Sequence, residues 1–314
     1  MNNKNTSGFH VGALLTDTDG NRVRAHQPHI FAHNGTYYMY GVAHVGMHSD
    51  GAPGVVHVYE STDLYQWRFG GVALDTHSER VARPSMLGRN PLTDQFVLWV
   101  KGAGLGRCAI APTPRGPFVQ QHPCGEEPGL DQIHDTALTA SDMQAYRDPR
   151  SDRAFLFYAS SSTEHSNEWH LMVLELDAQW TGLGGTPPYR CAGWREAPVP
   201  FYSSLTGHNY LWTSGTSGWD ANEATVYRRS VLGMPLGVLE TDHPCFADAQ
   251  QGPQPLDTFD SQGSHVLPLG VRDDATGAER FLYMGDRYLL YLNAPGVSHF
   301  ALRMARSDAV IPCP

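Results

Sequence analysis

The sequence predicts an all-β fold, a five-bladed β-propeller, and two observations carry that prediction. An apolar-aromatic strand core recurs five times: Tyr37-Tyr38-Met39-Tyr40-Gly41, Phe96-Val97-Leu98-Trp99-Val100, Phe155-Leu156-Phe157-Tyr158-Ala159, Asn209-Tyr210-Leu211-Trp212-Thr213 and Phe281-Leu282-Tyr283-Met284-Gly285. The copies are roughly 50 to 70 residues apart, the mark of one supersecondary unit used repeatedly. The composition agrees: 41% hydrophobic but only 17% charged, with 32 glycines and 22 prolines, suits many short strands and tight turns better than helices. No linker interrupts the repeat, so residues 1–314 are expected to form one propeller domain.

Each blade is justified in turn by what precedes and follows its aromatic core. Blade one opens with the turn Asp17-Thr18-Asp19-Gly20-Asn21 and then Arg24-Ala25-His26-Gln27-Pro28-His29-Ile30. The polar turn His33-Asn34-Gly35-Thr36 leads into its core, and the blade closes with Val58 to Trp67, whose indole is expected to plug the space between blades. Blade two begins at Val81-Ala82-Arg83-Pro84-Ser85-Met86, blade three at Ala140-Ser141-Asp142-Met143-Gln144, blade four at Trp194-Arg195-Glu196-Ala197-Pro198, and blade five at Phe259-Asp260-Ser261-Gln262-Gly263-Ser264-His265. A propeller points the start of every innermost strand at its axis. Five distant stretches thus bring polar groups to one pocket, just upstream of each aromatic core.

Charge and segment content narrow the partners. A net charge of −10 opposes binding to nucleic acid or to an anionic membrane. No apolar run approaches the roughly 18 residues of a membrane span. The first residues, Met1 to Ser7, lack the apolar core of a secretion signal, so the chain is expected in the cytoplasm, or outside the cell if a signal has been removed. Cys108, Cys124, Cys191, Cys245 and Cys313 are an odd number without a Cys-x-x-Cys pair. They are expected to be ordinary reduced thiols rather than a disulfide framework or a zinc site. The expected partner is a small molecule or an oligosaccharide, and no cofactor is expected.

The blade openings resemble glycoside hydrolase family 43, nearest its exo-β-1,3-galactanase branch. The most specific pieces are Arg195-Glu196-Ala197-Pro198 followed by Tyr210 to Trp219, and Thr258-Phe259-Asp260-Ser261-Gln262 leading to Val266-Leu267-Pro268-Leu269 and Tyr283-Met284-Gly285-Asp286-Arg287. Ala25-His26, Arg83-Pro84, Asp142-Met143 and Ser61-Thr62-Asp63-Leu64 with Trp67 add weaker support. The resemblance implies an inverting exo-glycosidase on galactosyl or arabinosyl linkages. Glu196 falls on the general acid and Asp142 on the carboxylate that orients it and tunes its pKa. Where most of the family carries a basic Asp, this chain has Gln27. The branch is similar in lacking that Asp, and the resemblance gives the water-holding role to Gln262.

Other residues are expected to bind or shape rather than react. Gln27, His29, Arg83 and His265 belong to the openings that face the axis, and Trp219 follows a Ser-Gly-Thr-Ser-Gly loop as a stacking platform for a flat ligand. Arg83 and Arg195 are placed to balance the charges of Asp142 and Glu196. His26, His29 and His265 are the residues that would surround an axial metal ion, though no tight ligand spacing joins them. The chain departs from the branch at Val42 and Ala82, each standing where the branch carries Glu, and at Gln27-Pro28-His29 in place of glycines. These departures predict a poor fit to β-1,3-galactan. They also keep open a second reading, a propeller repurposed for binding or for chemistry on a non-carbohydrate small molecule.

Overall fold

The structure, a computed structural model, describes residues 15–43, 54–77, 81–102, 106–121, 138–162, 169–185, 189–193, 195–215, 226–229, 243–244, 262–272, 279–287 and 299–306. Among them there is no helix. The strands form five antiparallel sheets, four of four strands and one of three, each built in simple sequence order. The innermost strands are His26–His33, Ala82–Arg89, Leu138–Arg147, Glu196–Ser203 and Gln262–Arg272. Each packs against the innermost strand of the next blade, and that of blade five packs against that of blade one, which closes the ring. Propeller blades are typically four-stranded, and blade five shows three strands among the described residues.

The repeated aromatic cores all lie on the second strand of their blades, Thr36–Val42, Phe96–Lys101, Ala154–Ser162, His208–Ser214 and Glu279–Arg287. Side chains alternate between the two faces of a strand. A strand whose faces both meet neighbouring blades must therefore be apolar at every position, which is why these cores read as unbroken apolar runs. In blade two, Val97 and Trp99 pack with Met143, Leu156 and Tyr158 of blade three. Phe96, Leu98 and Val100 pack the other way, with Tyr40, Val56 and Val58 of blade one. The same division gives three further clusters, between blades five and one, four and five, and three and four. Trp67 is fully buried in the first of these, among Met39, Tyr59, Leu282 and Met284, so it does seal a gap between blades.

One sequence expectation is corrected here: Cys108 is disulfide-bonded rather than a reduced thiol. Its partner lies outside the described residues, while Cys191 is a buried thiol in no disulfide, donating to the Leu171 carbonyl. Spacing alone could not reveal the bridge, because an odd set of five distant cysteines specifies no pairing.

Candidate active site

Every innermost strand is bulged at the same level. In blade one the register runs His26 opposite Val42 and then His29 opposite Tyr40, three steps against two. The same slip separates Ala82 from Ser85, Ala140 from Met143, Glu196 from Val199, and Gln262 from His265. A bulge frees backbone groups from the ladder and re-aims side chains. Three of the bulges are X-Pro steps, Gln27-Pro28, Arg83-Pro84 and Ala197-Pro198, in which the residue before proline has a positive φ of 50°, 46° and 48°. Proline is tolerated there because an innermost strand is an edge strand and a bulge needs no ladder N–H. The left-handed backbone of three non-glycine residues is a strain that tertiary contacts must hold.

Those contacts form a hydrogen-bonded circuit through all five blades. The freed amide of Gln27 donates to Asp286 Oδ1 of blade five at 3.1 Å, and the freed amide of Arg83 donates to Gln27 Oε1 at 3.0 Å. The Arg83 guanidinium is the hub: Nε and Nη2 donate to the two oxygens of Asp142 at 2.9 and 3.0 Å, Nη2 also to Gln262 Oε1 at 2.6 Å, and Nη1 to the Gly263 carbonyl at 3.3 Å. Gln262 Nε2 then donates to Glu196 Oε1 at 3.2 Å. Arg83 is only 2% exposed and Glu196 8%. A guanidinium this deep is tolerable because its planar fork is matched by the Asp142 carboxylate and two further acceptors.

The structure thus brings together Gln27, Arg83, Asp142, Glu196 and Gln262 at one level of the axis. Gln262 is bonded directly to Glu196, whereas an inverting pair needs roughly 6.5–9.5 Å between its two groups to admit water and sugar. The cause is the Arg83 hub, which fixes Gln262 Oε1 and turns its amide nitrogen onto Glu196. Trp219 lies outside the described residues. Arg195 reaches Thr213, through Oγ1 at 3.0 Å and the backbone carbonyl at 3.1 Å.

His29 and His265 lie one step further along the axis, past the bulges, with ring centroids 4.1 Å apart. The Gln144 side-chain amide meets His29 Nδ1 at 3.2 Å. Neither ring nitrogen of His265 makes a well-formed hydrogen bond among the described residues, and the Ile30 backbone is its weak neighbour. Burial pushes the His29 pKa down to about 4, the Met86 backbone opposing it. Burial also holds His265 well below the ordinary histidine value, and His29 adds to the effect. Both rings are therefore neutral near pH 7. Beyond them opens a largely apolar cavity of about 290 Å3, to which all five innermost strands contribute, among them Phe31, Leu87, Tyr146, Phe201 and Leu267. Among the described residues no three His, Cys, Asp or Glu side chains converge as ligands for a metal ion.

Two residues of this level were not singled out from the sequence. Lys101 and Asp286 each stand one residue past an aromatic core and pair across the sheet with the bulge residues Ala82 and Gln262. Asp286 is 1% exposed and lies 3.1 Å from His26 Nδ1. Burial lowers the Lys101 pKa, Asp142 opposing that, Arg83 reinforcing it and Glu196 opposing it again. The signal was available: the position after each core, Val42, Lys101, Ser160, Ser214 and Asp286, faces the start of each bulge.

The class of molecule defined here is a five-bladed propeller with paired carboxylates and a buried arginine at the mouth of its axis. Its fold is that of the family-43 glycoside hydrolases. The exo-β-1,3-galactanase of Phanerochaete chrysosporium, solved with galactose, superposes with a TM-score of 0.71 at 24% identity, covering 95% of this chain and 64% of that one. A family-43 β-1,3-galactosidase solved with galactodeoxynojirimycin gives 0.71 at 21% identity, covering 94% of each chain. The exo-β-1,3-galactanase of Clostridium thermocellum gives 0.70 at 22%, covering 94% of this chain and 62% of that one. The chain therefore spans less than two thirds of the length of both galactanases. No protein-family profile matches the sequence, and no curated protein matches it.

Proposed function

We propose that this chain is an inverting exo-glycosidase that releases a terminal galactosyl or arabinosyl unit, with Glu196 as general acid. The observation that carries the reading is the placement of Glu196: a carboxyl largely removed from water, at the axial mouth, linked through Gln262 to the Arg83–Asp142 pair. A carboxyl in such a setting is suited to carry the proton that a leaving glycosidic oxygen needs. Asp142 acts on it at one remove: it fixes Arg83, Arg83 fixes Gln262, and Gln262 orients Glu196. Asp142 is thus a positioning residue.

Entry of the sugar requires the Gln262–Glu196 hydrogen bond to part, since the leaving oxygen must take the place of the amide. Gln262 stays held by Arg83, and the second lone pair of its Oε1 remains to orient the attacking water; an amide is no base, so as the C–O bond forms the water's proton passes to solvent water, while Glu196 gives its own proton to the leaving oxygen. The Gln27 side-chain oxygen also accepts from Arg83, through the backbone amide; the resemblance, not the hydrogen bonding, favours Gln262 for orienting the water. The solved relatives with galactose and with β-1,3-galactotriose support a sugar in the corresponding funnel.

The test is Glu196→Gln assayed on a matched pair of glycosides. On a substrate with a poor leaving group, kcat is expected to fall by about 10²–10⁴, the usual worth of general acid catalysis. On a dinitrophenyl glycoside, which needs little protonation, most activity should remain. Equal losses on both substrates, or none on either, would refute the assignment of Glu196.

A further inference from the structure

Lys101 is the one cation at the axial mouth, among the described residues, whose donors the circuit does not use. Its ammonium lies 4.0 Å from Asp142 Oδ1, beyond hydrogen-bonding distance, with the side chain 28% exposed. Asp142 has no need of it, since both carboxylate oxygens already accept from Arg83. The residue opposite Lys101 across the sheet is Ala82, and the matching position in blade one is Val42. Neither side chain offers an acceptor to a sugar hydroxyl.

The charges around this ammonium do not cancel when the site is ready to act. Its electrostatic neighbours are Asp142, Arg83 and Glu196. Asp142 is neutralised by Arg83, and a general acid carries its proton, so Glu196 then contributes no charge. Asp286 belongs to the blade-five side, where it is covered by the Gln27 amide and His26. The nearest anion to this ammonium, Asp142 at 4.0 Å, is already taken up by Arg83, so the ammonium is only weakly compensated, and an anion brought by a ligand would relieve it through charge-assisted hydrogen bonds.

We propose that the funnel is built for a terminal sugar bearing an anionic group, a carboxylate or a sulfate ester, and that Lys101 is the residue that selects it. This rests on the glycosidase reading above and narrows it to acidic glycans. Val42 and Ala82, at register positions beside the bulges, offer no side-chain acceptors of the kind a neutral, fully hydroxylated sugar would use, while Lys101 supplies donors suited to an anion.

The experiment compares kcat/KM for 4-nitrophenyl galactoside, galacturonide and 6-sulfogalactoside in wild type, Lys101→Met and Lys101→Arg. Met keeps the apolar stem of lysine and removes the charge. Wild type should favour at least one anionic substrate over the neutral one by about tenfold or more, the scale of a charge-assisted bond. Lys101→Met should cut that selectivity ratio by a similar factor and Lys101→Arg should keep most of it. The carboxylate and sulfate arms identify which anion is meant. A wild-type ratio near one, or a ratio that survives Lys101→Met, overturns the proposal. If no glycoside is turned over, the glycosidase reading fails separately, and calorimetric titration with galactose, galacturonate and galactose 6-sulfate decides the binding claim. Tighter binding of an anionic sugar that is lost in Lys101→Met supports it, and equal binding or none overturns it.

Discussion

The two sides of the bulge level are made by the same five strands and have opposite character. On the mouth side, Gln27, Arg83, Asp142, Glu196 and Gln262 form a circuit in which each side chain meets another, with charge set against charge. On the far side, two or three residues along the same strands, His29 and His265 stay neutral and the walls turn apolar. The extra residue in each strand makes the change. It interrupts the strict alternation of side chains, so polar residues gather at one end of the axis without carrying polarity through the core. A charged, polar layer sits on an otherwise ordinary apolar core because the strain and the buried charge are confined to that layer.

The largest effect expected from that contrast is on stability at the mouth. Arg83→Met leaves Asp142 without its buried partner and frees both Gln27 and Gln262, so a loss of about 3–5 kcal/mol is expected in urea unfolding. A loss below about 1 kcal/mol would mean that the circuit is not a structural hub. Next comes acid. His29 binds a proton near pH 6.5 when unfolded but only near pH 4 when folded, so the unfolded state takes up more protons between those values. Stability is then complete above about pH 6.5 and declines as pH falls toward 4, by about 3 kcal/mol from His29 alone, with His265 adding in the same direction. Thermal unfolding across that range checks it, and His29→Leu should flatten the profile. A flat wild-type profile would place the two imidazoles in contact with solvent.

The last effect is in the choice of substrate. β-1,3-galactobiose should be a poor substrate, by roughly a hundredfold or more, if two charge-assisted bonds of about 1.5–3 kcal/mol each are absent at Val42 and Ala82. Release of galactose followed over time measures it. Turnover at a rate ordinary for glycosidases would show that other groups replace those carboxylates.

Much of this architecture was readable before any coordinates, and the reason is physical. The five aromatic cores are buried on both faces, so their composition is fixed by packing alone, and Trp67 could be placed between blades for the same reason. The site was readable only in part. Asp142, Glu196 and Gln262 stood out by resemblance, yet their partners depend on long-range geometry: Arg83 serves four acceptors on blades three and five that no local pattern connects. The Gln-Pro, Arg-Pro and Ala-Pro steps are a repeated signature of the bulges, but a lone X-Pro reads as a turn until the register is known. Lys101 and Asp286 hid in plain alternation, each one residue past a core and overshadowed by its aromatics. The Cys108 disulfide was misread because an odd cysteine count suggests reduced thiols.

The central claim is that Glu196 protonates the leaving glycosidic oxygen while a water attacks the anomeric carbon, with no protein nucleophile. The two candidate carboxylates are separated by the Arg83–Gln262 bridge, and Gln27 occupies the place of a third. The most direct measurement is the anomer first released from a hydrolysed β-glycoside, read by proton NMR within the first minutes, before mutarotation. The account predicts that the α-anomer appears first. Initial release of the β-anomer would mean a covalent intermediate and a carboxylate nucleophile that this arrangement does not provide, and would contradict it.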